Sequence, residues 1–168
     1  MRNKAILSIL GVSLVVLFIV MGIFLGRSDS KMQDLFDKTI TALDNEEGLK
    51  ELFNDYAVKE SKTLDEDIKA LNDFYKGKNT EIKKLKVFHE SSNVYRMHAT
   101  VTTDEGKYFI CIGATGSRLV DNYGISQLII EDSKEFQNKK IFKKDEFSKY
   151  VSHANAYGVT IRKKGDMK

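Results

Sequence analysis

The residues of this chain that could take part in acid–base, nucleophilic or phosphate chemistry are three histidines, one cysteine and a glycine pair. His98 stands in the run VYRMHATVTT. Alternation there sets Tyr95, Met97, Ala99 and Val101 on one strand face and Arg96, His98, Thr100 and Thr102 on the other. His98 is thus expected on the polar side, away from any enclosed site for proton transfer. His89 falls in the predicted turn HESSN with Ser91 and Ser92, and a Ser–His pair lacking an orienting acid and oxyanion donors is not a triad. His153 belongs to a polar terminal helix. Cys111, in YFICIGA, has no His or Lys beside it in sequence and reads as a small buried hydrophobe. The stretch Gly113-Ala-Thr-Gly116-Ser lacks the Gly-Lys-Ser/Thr ending of a phosphate loop, and no amphipathic helix follows it. No His/Asp/Glu spacing suggests a metal site. The expectation is therefore no catalytic residue, cofactor or metal. Phe74, Tyr95 and Tyr108 are the candidates for lining a pocket, with plain core as the competing reading.

Those residues need elements to hold them. Met32, Leu35, Phe36, Ile40 and Leu43 recur near the helical period and predict a helix over about 31–43. Asn45 can cap a second helix that buries Leu49, Leu52, Phe53 and Tyr56. Thr63 with Glu66 has the capping-box spacing, and Leu64, Ile68, Leu71 and Phe74 give a third helix its stripe, ended by Gly77.

Beyond Gly77 the period becomes two. Leu85 and Val87 alternate with lysines, Asp104–Lys107 forms a tight hairpin, and Tyr108–Thr115 is apolar on both faces, as a central strand should be. Two registers suit that hairpin: a two-residue loop would face Ile110 to Val101, whereas a bulge at Gly106 would face Phe109 there. A loop over 113–122 precedes a strand at Ile125–Glu131. Phe142, Phe147, Tyr150 and Val151 suggest a last helix, and Val159–Ile161 a short edge strand. Helices followed by antiparallel strands make an α+β domain, here three helices on a curved sheet of about four strands.

Composition sets the location and bounds the class. From Ala5 to Leu25 the chain has no charged residue, Asn, Gln or Pro. As a helix this run would be ~31 Å long, matching a bilayer's hydrocarbon core. Arg2 and Lys4 precede it, which favours an amino terminus on the cytoplasmic side and residues 28–168 outside. A cleaved secretory signal is the rival reading. The run exceeds the usual signal core, and no A-x-A-like site follows. About 140 residues remain, enough for one core. A single cysteine permits no internal disulfide. The stretch from Asp29 to Phe74 is acidic, and the last part of the chain is basic. A basic tail outside the cell could meet anionic lipid or a cell-surface polymer, although a solvated surface explains it as well. Nucleic acid is not expected, because no aromatic-interleaved basic motif is present. The resulting organisation is a membrane anchor over 1–27, an α+β domain over 31–131 and a basic, partly helical extension over 132–168.

The piece LKELFNDYAVKESKTLDEDIKALNDFYKGK (Leu49–Lys78) resembles a segment of a family of small extracytoplasmic proteins, mostly from Gram-positive bacteria and often lipoproteins, with no assigned function. DNYGISQLII (Asp121–Ile130) is similar to that family's turn and strand, and the resemblance covers about Met32 to Glu131. It implies a nuclear-transport-factor-two-like, or cystatin-like, cone with a central hollow, and supplies no catalytic residues. Many relatives carry a lipobox cysteine, whereas this chain offers an apolar run instead. The functional expectation is a non-enzymatic, membrane-anchored binding module whose partner is an envelope protein, peptide or small ligand. The alternatives are a structural part of an envelope assembly such as a secretion machine, or a small-molecule carrier or enzyme using the hollow.

Overall fold

The computed structural model describes residues 30–91, 94–115, 123–132 and 154–162, with the backbone alone over 84–91. The apolar run Ala5–Leu25, Gly116, the helix expected around Phe142–Val151 and His153 lie outside the described residues. Among the described residues no helix is long and apolar enough to cross a membrane. The chain divides into two units, Met1–Asp34 and Leu35–Lys168, and the second holds the sheet.

Helices precede strands, giving the α+β class. Helix α1 covers residues 30–41. It is followed by α2 (Glu46–Lys50), α3 (Asp55–Glu60) and α4 (Leu64–Phe74), and then by β1 (Asn79–Ser91), β2 (Val94–Thr103), β3 (Lys107–Thr115), β4 (Gly124–Asp132) and β5 (Gly158–Arg162). The sheet order is β1-β2-β3-β4-β5, antiparallel from β1 to β4 and parallel between β4 and β5. The described sheet thus has five strands rather than about four. The added one is the Val159–Ile161 segment, and it edges the sheet beside β4.

Among the described residues there are four helices rather than the three expected ahead of the sheet. Asn45 caps α2, its side chain accepting from the Gly48 N–H at 3.1 Å. The second predicted helix then breaks at Phe53, which forms a parallel bridge with Ile125. Asn54 starts α3 with its side-chain oxygen on the Ala57 N–H at 2.7 Å, and its amide donates to Thr115 Oγ1 at 2.7 Å. The Asn54 N–H donates to the Ile125 carbonyl and the Ile125 N–H to the Leu52 carbonyl, so sheet bonding replaces helix bonding there. Gly124 permits this approach: at φ +148° a Cβ would lie 2.8 Å from the Leu52 oxygen. The break rotates the face that follows. Ala57 is buried and Tyr56 is 47% exposed, opposite to the burial expected of Tyr56.

At the start of α4 the capping box does not form. Thr63 occupies the N-cap without a capping bond, and its hydroxyl donates to Asp67 Oδ2 at 2.8 Å instead. Leu64, Ile68 and Leu71 are buried as the stripe requires, while burial at the helix end passes from Phe74 to Tyr75.

Both faces of β3 are buried along Tyr108–Ala114, as expected of a central strand. Its register matches neither sequence alternative: Val101 faces Tyr108. Thr103 decides this. Its hydroxyl accepts from the Gly106 N–H at 2.9 Å and donates to the Lys76 carbonyl at 2.7 Å, while its N–H reaches the Gly106 carbonyl at 2.8 Å. The tip is therefore Asp104–Glu105. At the other hairpin, β1 runs through His89 to Ser91, so His89 is a strand residue paired with Tyr95 rather than part of the turn. Gly113 likewise belongs to β3, opposite Gln127, instead of opening a loop.

Candidate functional site

Alternation along β2 holds, and it sorts the sheet into two faces of different chemistry. Tyr95, Met97, Ala99 and Val101 share one face with Tyr108, Ile110 and Ile112 of β3 and Leu128 and Ile130 of β4. This apolar face meets the end of α4 through Tyr108, whose ring lies 5.7 Å from Phe74 (69°, edge-on) and 4.7 Å from Tyr75. The Tyr108 hydroxyl accepts from the Lys76 N–H at 3.0 Å and donates to the Phe74 carbonyl at 3.4 Å. Tyr75 donates its hydroxyl proton to Asn79 Oδ1. Burial pushes the Tyr75 phenol well above its ordinary value, with Tyr108 and then Asp44 adding to the effect.

The adjoining loop is locked from outside. Gly77 has φ +82°, and a Cβ there would lie 2.9 Å from the Glu105 nitrogen and from Thr103 Oγ1. The Lys78 N–H donates to Asp104 Oδ1 at 2.7 Å, joining this loop to the β2–β3 turn.

Of the three pocket candidates, the fold brings Phe74 and Tyr108 together and leaves Tyr95 elsewhere. Tyr95 pairs with Ala114, six strand positions from Val101, the partner of Tyr108. At ~3.4 Å per residue that is roughly 20 Å away. The Phe74–Tyr75–Tyr108 group is a packed cluster with its hydroxyls engaged.

The opposite face carries the polar groups that alternation assigns to it: Arg96 and His98 on β2, Gln127 and Glu131 on β4, and Arg162 on β5. It is nonetheless largely covered, with Arg96 half-buried. His98 is 1% exposed and Cys111, directly opposite it, is also 1% exposed. Gln127, Glu131 and Arg162 are buried as well, and Glu131 and Arg162 are register partners across β4 and β5. His98 thus takes the polar face that alternation assigns to it, and it is buried there. Its ring lies 5.7 Å from Phe109. The period-two pattern shows which face a side chain takes, but not whether that face is covered. Arg96 Nη1 donates to Gln127 Oε1 at 2.7 Å, and Gln127 Nε2 donates to the Asn155 carbonyl, linking β2, β4 and the approach to β5. Among the described residues no group of three or more His, Cys, Asp or Glu is arranged to hold a metal ion.

Concave surface occurs among the helices. A cleft of about 400 Å³ is lined by Lys59, Ser61, Lys62, Thr63, Asp65 and Glu66, with Val58, Leu64 and Lys50 completing it. Lys50 Nζ and Asp65 Oδ1 pair at 2.6 Å between this cleft and a smaller one bordered by Glu46 and Glu47. A groove of about 400 Å³ runs between α1 and α2 past Thr41, Asn45 and Gly48. Beside the first cleft, Tyr56 and Tyr157 meet edge to face, centroids 5.0 Å apart. The Glu60 carboxylate, followed by contact with Tyr157, raises the Tyr56 phenol, which stays protonated at neutral pH. Sequence reading missed this pair.

No curated protein and no solved structure matches the chain. A family model described as a domain of unknown function matches residues 38–144, a span that includes Leu49–Lys78, Asp121–Ile130 and both the cleft and most of the sheet. By that match, which spans more than half its length, the chain belongs to the Domain of unknown function (DUF5104) family.

Proposed function

We propose that this chain is a non-enzymatic binding module held at the outer face of a membrane by residues Ala5–Leu25. The observation that carries the reading is that uncharged run, long enough to span a bilayer and preceded by Arg2 and Lys4. The chain's resemblance to extracytoplasmic proteins supports the location, and its helix-then-sheet order suits the cystatin-like cone of such proteins. Binding is favoured over catalysis by how the polar groups are used. The Tyr108 hydroxyl holds the chain leaving α4, and Arg96 and Gln127 fasten strands to one another. Envelope molecules are the natural partners of a domain so placed.

The test is fractionation of cells expressing the full chain, followed by an alkaline carbonate wash and protease treatment of intact cells. The expected result is full-length protein in the washed membrane pellet, with its domain cleaved by external protease. Recovery of the full-length chain from the soluble cytoplasmic fraction would overturn the reading.

A further inference from the structure

We propose that the α3–α4 corner is a carbohydrate-binding site, with the cleft below α3 holding sugar hydroxyls and the Tyr56–Tyr157 pair supplying a stacking surface at its edge. The choice of partner rests on the extracytoplasmic reading above, whereas the site itself rests on three features of this corner.

The first is shape. The cleft, at about 400 Å³, lies in the range of small-ligand sites, roughly 300–1,000 Å³. The second is the chemistry of its wall. Ser61 brings a hydroxyl and Thr63 a hydroxyl oxygen whose proton goes to Asp67, Lys59 and Lys62 donate, and Glu66 accepts beside the Lys50–Asp65 pair. Donors and acceptors share one wall with little net charge, which suits a polyol whose every hydroxyl both donates and accepts. The apolar Val58 and Leu64 in the same wall suit the C–H faces of a sugar ring.

The third feature is exposed aromatic surface. Tyr56 is 47% exposed and Tyr157 37%, and because the two rings are in contact their exposed surface is continuous. Tyr157 adjoins the cleft through its neighbour Gly158, where a Cβ would lie 3.1 Å from Ser61 Cβ. Tyrosine suits the task because it is rigid and amphipathic, so it loses little entropy when a ring stacks on it. An anionic membrane is the other surface that tyrosines and lysines fit. Asp55, Glu60, Asp65 and Glu66 on the same corner oppose it by like-charge repulsion.

The test exposes the full chain, in detergent micelles, to a printed array of linear hexose and N-acetylhexosamine oligosaccharides two to six units long. Vesicles rich in phosphatidylglycerol form a parallel arm. The expected result is saturable binding to at least one oligosaccharide series, weakened on the order of tenfold by Tyr157→Ala and by Lys62→Ala. Lys38→Ala, in the α1–α2 groove, should leave binding unchanged. Because the chain has no tryptophan, tyrosine emission reports the same event and should change on titration with the sugar that binds. No binding across the array, binding insensitive to Tyr157→Ala, or binding to the vesicles alone would each overturn the site. A chain that sits in the membrane yet binds no sugar would refute this inference and leave the proposed location standing.

Discussion

The two faces of the sheet are both largely covered, one more completely than the other, and they differ in chemistry. One is filled by aliphatic and aromatic side chains, and at one end even the Tyr108 hydroxyl is tied to backbone. The other buries Arg96 partly and His98, Gln127, Glu131 and Arg162 almost wholly. An apolar face tolerates imperfect partners, since burial of hydrocarbon is non-directional. A buried polar face requires particular pairings, because each lost hydrogen bond strands a desolvated group. The first face therefore contributes bulk stability, and the second fixes which strands lie side by side.

That contrast can be broken most directly on β3, where neighbouring residues point to opposite faces. Ile110→Ala should lower the unfolding free energy by about 2–5 kcal/mol, whereas Cys111→Ala should cost about 1 kcal/mol. Urea unfolding of the full chain in detergent measures both, and equal losses would erase the distinction between the faces. Gln127→Met tests the polar side. Removing the acceptor for Arg96 and the donor to Asn155 should cost about 1–3 kcal/mol. Adding Arg96→Met should recover part of that loss, and an additive double variant would mean that the pair is not coupled.

A third measurement uses alkali. The Tyr75 phenol is held above its ordinary value of 10, so the folded state binds that proton more tightly than the unfolded chain does. The resulting stabilisation is fully present below pH 10 and declines as pH rises beyond it. Tyr75→Phe should flatten this decline relative to the unsubstituted chain, and parallel curves would remove Tyr75 as its cause. The smallest effect belongs to Lys50→Ala. Its partner Asp65 is 71% exposed, so loss of the pair should cost at most about 1 kcal/mol in the same urea assay and less at high salt.

What the sequence made legible follows from how local each signal is. The Asn45 cap, the α4 stripe through Leu71 and the alternation of β2 depend on residues a few positions apart, and all three stand in the structure. The signals that misled were local patterns overridden from a distance. Leu49 to Tyr56 has one helical period, but Phe53 pairs with Ile125 on β4, and the bridge breaks the helix and turns Tyr56 outward. Thr63 and Glu66 have the spacing of a capping box, but Asp67 competes for the threonine hydroxyl. The Asp104–Lys107 turn suggested two registers, and the bond from Thr103 to Lys76 selected a third. Of the pocket candidates, only Phe74 and Tyr108 come together, because Tyr95 starts the strand whose far end faces Tyr108. The Tyr56–Tyr157 contact joins residues about a hundred positions apart and had no sequence signature.

The parallel pairing of β5 with β4 bears on how the molecule is made. Gln127 meets Gly158 about thirty positions later, and only then does the strand bearing Leu128, Ile129 and Ile130 gain its second neighbour. A product ending before residue 158 would leave that edge open, ready to zip onto another polypeptide. The sheet can therefore close only after residues 158–162 have been made. A chain truncated before residue 158 should aggregate rather than remain a dispersed, folded domain.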